Sequence, residues 1–150
     1  MKADPALHPF WQGMPKDYLS ILDQASMHAQ FEPGAVIFRE GEPANRFYLI
    51  HSGEVDLEAD VDGERLELIQ KLGPGDVIGW SWLFPPYYWH FNARAVTRTT
   101  ATFYYGTRLR EQCDENPAFG YELMKRISQV LLARLQSTRR RLSHASAPAH

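Results

Sequence analysis

The sequence predicts a mainly β protein: a small antiparallel barrel with an N-terminal helix before it and a long C-terminal helix after it. Three observations predict this class. Gly34, Gly41, Gly53, Gly75 and Gly79 each stand beside a short apolar run, as turn residues between strands do. Through the middle of the chain apolar and polar residues alternate, the period of a half-buried strand. From Phe119 onward the apolar residues recur at threes and fours instead, the period of a helix.

Taken in order, Pro15 suits a first helical position and Leu19 and Leu22 give a short apolar face, so Met14 to Ala25 reads as a lead-in helix. Val36 and Phe38 alternate next, and Phe47 to Ile50 is a nearly continuous apolar strand. Val55, Leu57, Ala59 and Val61 alternate with Glu54, Asp56, Glu58, Asp60 and Asp62, a strand with an acidic outer face. Asp62-Gly63 marks a hairpin turn before Leu66, Leu68 and Leu72. From Ala93 to Tyr105 the odd positions are small or apolar while the even ones include Arg94 and Arg98, which predicts one long strand with its odd face inward.

Thr107 is placed to cap a short helix through Cys113, and Asn116-Pro117 is an N-cap followed by proline. The last helix then runs to about Leu142, with a stripe of Phe119, Leu123, Ile127, Val130, Leu131, Leu135 and Leu142. That stripe is longer than one flank of a small barrel needs. Its distal half reads as a homodimer seam of Ile127, Val130, Leu131, Leu135, Thr138 and Leu142; the alternative is packing on the chain's own barrel alone. Arg134, Arg139, Arg140 and Arg141 suit the negative end of the helix, and residues 143–150 read as a disordered tail.

With 150 residues and 44% hydrophobic content, the chain is expected to form one domain over about residues 1–142. A net charge of −2 gives no general pull toward nucleic acid or acidic membranes. No leader and no membrane-length apolar run stand out, so a cytoplasmic protein is expected. Enzyme chemistry finds little support. His51 and His90 stand without a paired histidine for a metal, Ser81 has no nucleophile elbow, and Gly73-Pro-Gly lacks the following Gly-Lys of a phosphate loop. Cys113, the single cysteine, precedes Asp114 and Glu115, which disfavour a thiolate. No catalytic or metal-binding residue is therefore assigned.

The glycine framework, the turn Gly75-Asp-Val-Ile-Gly79, the following strand and the closing helix together resemble the cyclic-nucleotide-binding domain family. That family includes the sensor domains of catabolite activator relatives, kinase regulatory subunits and gated channels. The resemblance spans about Phe31 to Leu142 and implies a jelly-roll-like double-stranded β-helix whose final helix dimerises. In the bacterial regulators a helix-turn-helix domain follows that helix; here the chain ends, so direct DNA binding is not expected.

The resemblance also implies where a ligand would sit, in the loop after Gly79. There the family presents backbone N–H groups and an arginine to a cyclic phosphate, and a glutamate to the ribose. In this chain the glutamate position holds Trp80, and aligning the next strand by its small residues places Trp89 and His90 at the arginine and its neighbour. Arg94 with Ala95 superficially matches the arginine pair, but an inward Ala93 and Ala95 turn Arg94 outward. The candidate ligand residues are Gly79, Trp80, Ser81, Trp82, Leu83, Tyr88, Trp89, His90 and Arg94. Three outcomes stay open for this aromatic loop: the protein's own rings or a protein partner filling it, a planar small molecule, or an ordinary cyclic nucleotide held by Arg94. The overall reading is a non-enzymatic sensor or adaptor signalling through its dimer helix.

Overall fold

A computed structural model describes residues 8–63, 65–79 and 81–145. A 3-10 turn at Pro9–Trp11 and helix α1 (Lys16–Gln24) lead into eight strands. These are β1 (Ser26–Phe31), β2 (Val36–Phe38), β3 (Arg46–Ser52), β4 (Val55–Asp60), β5 (Leu66–Leu72), β6 (Val77–Ile78), β7 (Asn92–Ala95) and β8 (Thr99–Tyr105). Helices α2 (Gly106–Glu115) and α3 (Pro117–Ala145) close the chain. The strands form two antiparallel sheets, ordered β1-β8-β3-β6 and β2-β7-β4-β5. The mainly β roll with flanking helices is the predicted class.

Pleating divides the core in two. On β3, Phe47 and Leu49 face the helices, where Trp11, Trp82, Tyr104, Leu109, Phe119 and Leu123 join them. Tyr48 and Ile50 point the other way, between the sheets, against Phe38, Leu57, Trp89 and Phe103. The first cluster holds the helices on the roll; the second fills the roll itself.

Three expectations need correction. The single strand from Ala93 to Tyr105 is two strands, β7 and β8, in different sheets. The inward alternation runs through both, with Ala93, Ala95, Thr99, Ala101 and Phe103 buried, so periodicity alone could not reveal the corner. Side chains make that corner: Thr97 Oγ1 accepts from the Glu54 N–H at 3.0 Å, and the Thr99 hydroxyl donates to the Thr97 carbonyl at 3.0 Å. Gly53 packs on it at φ +97°, where a Cβ would lie 2.5 Å from the Arg98 carbonyl oxygen. Gly53→Ala is expected to cost roughly 2–4 kcal/mol from strain plus overpacking, read as a lowered urea midpoint.

The dimer seam is the second correction. Asn116 Oδ1 caps α3 at the Phe119 N–H (3.3 Å), and Phe119, Leu123 and Ile127 are buried in the chain's own core. Val130 and Leu131 pack partly on the same cluster. Ile127 therefore belongs to the barrel contact, and Val130 and Leu131 rest on it with part of their surface. Steps of four precess by about 40° around a helix while steps of seven precess by about 20° the other way, so one apparent stripe separates into two. The exposed row is Tyr121, Met124, Leu132, Leu135 and Leu142, while Thr138 is half-buried and borders a hollow beside Leu68 and Ile69 of β5.

Arg134 is the third. Its guanidinium donates to the Val77 carbonyl and is buried, which pushes its pKa down to about 10 against the opposing pull of Asp76. Arg139, Arg140 and Arg141 do lie exposed. Helix α3 also continues to Ala145, three residues into the stretch expected to be a tail, and residues 146–150 lie outside the described residues.

Candidate functional site

The loop from Ser81 to Phe91 leaves the end of β6 and returns along the β2–β3 turn. Three backbone hydrogen bonds seal it there: Gly41 N–H to the Trp89 carbonyl (2.9 Å), Trp89 N–H to the Glu42 carbonyl (3.0 Å), and Ala44 N–H to the Tyr87 carbonyl (2.7 Å). Such a ladder fixes the chain direction and leaves the side chains to be sorted by the pleat.

The candidate residues sort into three places. Trp82, fully buried, turns toward the helices, where its Nε1–H donates to the Gly79 carbonyl at 3.2 Å. Ser81 is buried on that side with no hydrogen-bond partner for its hydroxyl among the described residues, and Leu83 packs partly on the same cluster. Trp89 takes the opposite side and enters the roll. It is 3% exposed and stacks on Phe38 with centroids 3.7 Å apart and planes 8° from parallel. Gly79, at φ +96°, makes room for it: a Cβ there would lie 2.6 Å from the Trp89 ring. Tyr88 and His90 remain outside and exposed, as does Phe84. Trp80 lies outside the described residues.

Arg94 does not join this group. It projects from the outer face of β7 and binds both carboxylate oxygens of Glu58 on β4, through Nε at 3.1 Å and Nη2 at 3.0 Å. The neighbouring Lys71–Asp56 pair (3.3 Å) occupies the same face, so Asp56 and Glu58 are each paired with a cross-strand cation.

The residues around Trp89 extend the site beyond those read from the sequence. Phe38, which stacks on Trp89, also meets Tyr48 and Phe91, and Tyr48 meets Phe103, so these rings form one aromatic cluster. Arg46 lies 4.2 Å above the Phe103 ring. Burial pushes the Tyr48 hydroxyl pKa up, and a hydrogen bond with Arg46 opposes that shift. Outside the stack is a small open recess of about 240 Å³, bordered by Glu42, Asn45, Arg46, Tyr48 and Trp89. The sequence did not single out this cluster, because the continuous apolar run Phe47 to Ile50 does not say to which side Tyr48 turns.

Toward the helices the same loop is tied to α2. Arg110 donates to the Trp82 carbonyl, and its guanidinium lies 4.2 Å over the Tyr87 ring. A Cβ on Gly106, the first residue of α2, would meet the Trp82 Cβ at 2.8 Å. Tyr87 itself holds φ at 61°, an unusual conformation for a bulky residue and a known mark of functional loops.

Other chemistry is sparse. Burial, then Asp114, pushes the Cys113 thiol pKa up to about 11, which disfavours the nucleophilic thiolate. Among the described residues no His, Cys, Asp and Glu cluster is arranged for a metal, and no helix is long and apolar enough to cross a membrane.

Comparison with known proteins agrees with this architecture. The family model for the cyclic nucleotide-binding domain matches residues 28–116. A CRP-like cAMP-activated global transcriptional regulator of Mycobacterium tuberculosis is 28% identical over 133 residues, which cover 89% of this chain and 58% of the regulator. The chain thus spans less than two thirds of that relative's length. A structure described as a cyclic nucleotide-binding protein of Geobacter metallireducens GS-15 superposes with a TM-score of 0.80 at 29% identity, covering 90% of this chain and 99% of that one. The regulatory subunit of a cAMP-independent protein kinase A from Trypanosoma brucei gives a TM-score of 0.68 at 26% identity, covering 83% and 44%. Fold, loop placement and family model converge: the chain belongs to the cyclic nucleotide-binding domain family.

Proposed function

We propose that this chain is a non-enzymatic regulatory module whose nucleotide pocket is filled by its own Trp89 and which responds to a protein partner on the outer face of the loop. The observation that carries this reading is the Phe38–Trp89 stack, with Gly79 tight against the indole. A purine and a cyclic phosphate cannot occupy space already held by a buried indole. The exposed side of the loop, with Phe84 and Tyr88 each about half accessible, gives a partner apolar anchors.

Occupancy there has a route to the helices. Tyr87 stacks under Arg110, Arg110 holds the Trp82 carbonyl, and Trp82 packs among Leu109, Phe119 and Leu123. A partner that favours one loop position changes the packing of α2 and α3, and through α3 the homodimer, only to the extent that it binds two arrangements unequally.

Calorimetric titration with cyclic AMP and cyclic GMP tests the reading directly. No heat of binding is expected at millimolar nucleotide; saturable micromolar binding would overturn the filled pocket. A second reading, a small polar or planar effector, is favoured by the Arg46 recess beside Trp89. Native mass spectrometry of the purified protein separates the two, since a retained small molecule appears as a discrete mass increment.

A further inference from the structure

The segment before α1 crosses the helix side of the first sheet as a strap, and His8 fixes it there. His8 is 4% exposed, and both ring nitrogens are engaged with opposite polarity. Nε2 lies 3.0 Å from the Ile50 carbonyl, which only accepts, so Nε2 carries the proton. Nδ1 accepts from the Phe10 N–H at 3.1 Å and caps the Pro9–Trp11 turn. Beyond it, Trp11 is buried and donates from Nε1 to the Tyr104 hydroxyl at 2.9 Å. Arg126 of α3 holds the other edge, donating to the Phe10 carbonyl at 3.0 Å and the Gln12 carbonyl at 2.8 Å. The strap therefore joins the sheet to α3.

We propose that this strap is an acid-released latch on α3, with His8 as the group that senses the proton. Protonation adds an N–H at Nδ1, which then faces the Phe10 N–H donor to donor, and the cap is lost. The charge would also sit in a crowded row. The His51 ring of β3 lies edge-on at 5.5 Å, with its Nε2 2.7 Å from the Thr102 hydroxyl, and His28 of β1 acts on His51 in turn. Asp76, on the turn between β5 and β6, favours the charged form, and Arg134 of α3 stands beyond Asp76.

Burial outweighs the Ile50 hydrogen bond and Asp76, and His8 titrates below its usual value of 6.5. The sign follows. The released strap binds a proton more readily than the docked one, so docking is complete above about pH 6.5. As pH falls, docking weakens by up to about tenfold per unit, for one proton, until His8 protonates in place.

Hydrogen–deuterium exchange of the full chain, corrected for intrinsic rates, tests the latch between about pH 7.5 and pH 5.5. Protection of residues 10–14 is expected to fall, by at most about tenfold, while β3 keeps its protection. His8→Asn retains a side-chain oxygen for the Phe10 N–H but cannot titrate, so its strap is expected to show no such pH dependence. Constant strap protection in the wild type would overturn the proposal, as would equal loss across β3 or a His8→Asn profile matching the wild type. The wild-type comparison decides the matter even if the variant folds poorly. The result is independent of what docks on the aromatic loop.

Discussion

Trp89→Ala is expected to lower folding stability by about 3–5 kcal/mol. The indole is almost wholly buried and lies flat on Phe38, so its removal forfeits both apolar area and a stacked pair. Burying roughly 200 Å² at about 25 cal/mol per Å² gives close to 5 kcal/mol, an upper figure because an unfolded chain already buries some of that surface. Collapse cannot easily fill the gap. The Trp89 backbone is pinned to Gly41 and Glu42, and Gly79 has no side chain to move inward. The cavity should therefore persist and accept a flat apolar guest, so indole is expected to restore part of the lost thermal stability by binding only the folded state. A loss below about 1 kcal/mol would mean that the loop swings away at little cost and that Trp89 is a lid, not a filling.

What the sequence discloses here depends on whether a feature is periodic or positional. The turn glycines, the continuous apolar run of β3 and the alternating sequence of β4 reveal the roll because such signals are local to each strand. Strand β1, which no expectation covered, alternates in sequence but not in burial: Met27 is exposed while Ser26 is buried against its partner strand β8. The corner between β7 and β8 is different. Parity is preserved across it, so the change of sheet leaves no trace in the alternation and rests on the hydroxyls of Thr97 and Thr99. The candidate site divides in the same way. Turning Arg94 outward needs only parity, whereas finding Phe38 beneath Trp89 requires knowing that the Glu42 turn is bonded to the loop across a long separation. Trp82 and Trp89 look alike in sequence and end in separate cores, because the chain between them reverses through the turn at Tyr87.

On α3 the pair Leu132→Asp and Leu135→Asp is expected to convert the proposed homodimer to monomer without unfolding it. Tyr121, Ser128, Leu135 and Leu142 fall at intervals of seven, the repeat that keeps a seam facing a partner helix, with Met124 and Leu132 filling between them. Leu132 is 54% exposed and Leu135 66%, so neither supports the chain's own core. Carboxylates there should change the monomer's stability by less than about 0.5 kcal/mol. In a two-fold dimer each substitution appears twice, placing four carboxylates in one apolar seam at a cost of several kcal/mol. Sedimentation equilibrium near ten micromolar reads the outcome, and a dimeric double variant would move the interface off this face. Ile127→Asp supplies the contrast: at 3% exposure it strikes the barrel contact and should unfold the protein itself. Two charges only a few turns apart on one helix would then have opposite consequences, one for association and one for folding. Only a helix whose two faces serve different partners can produce that division.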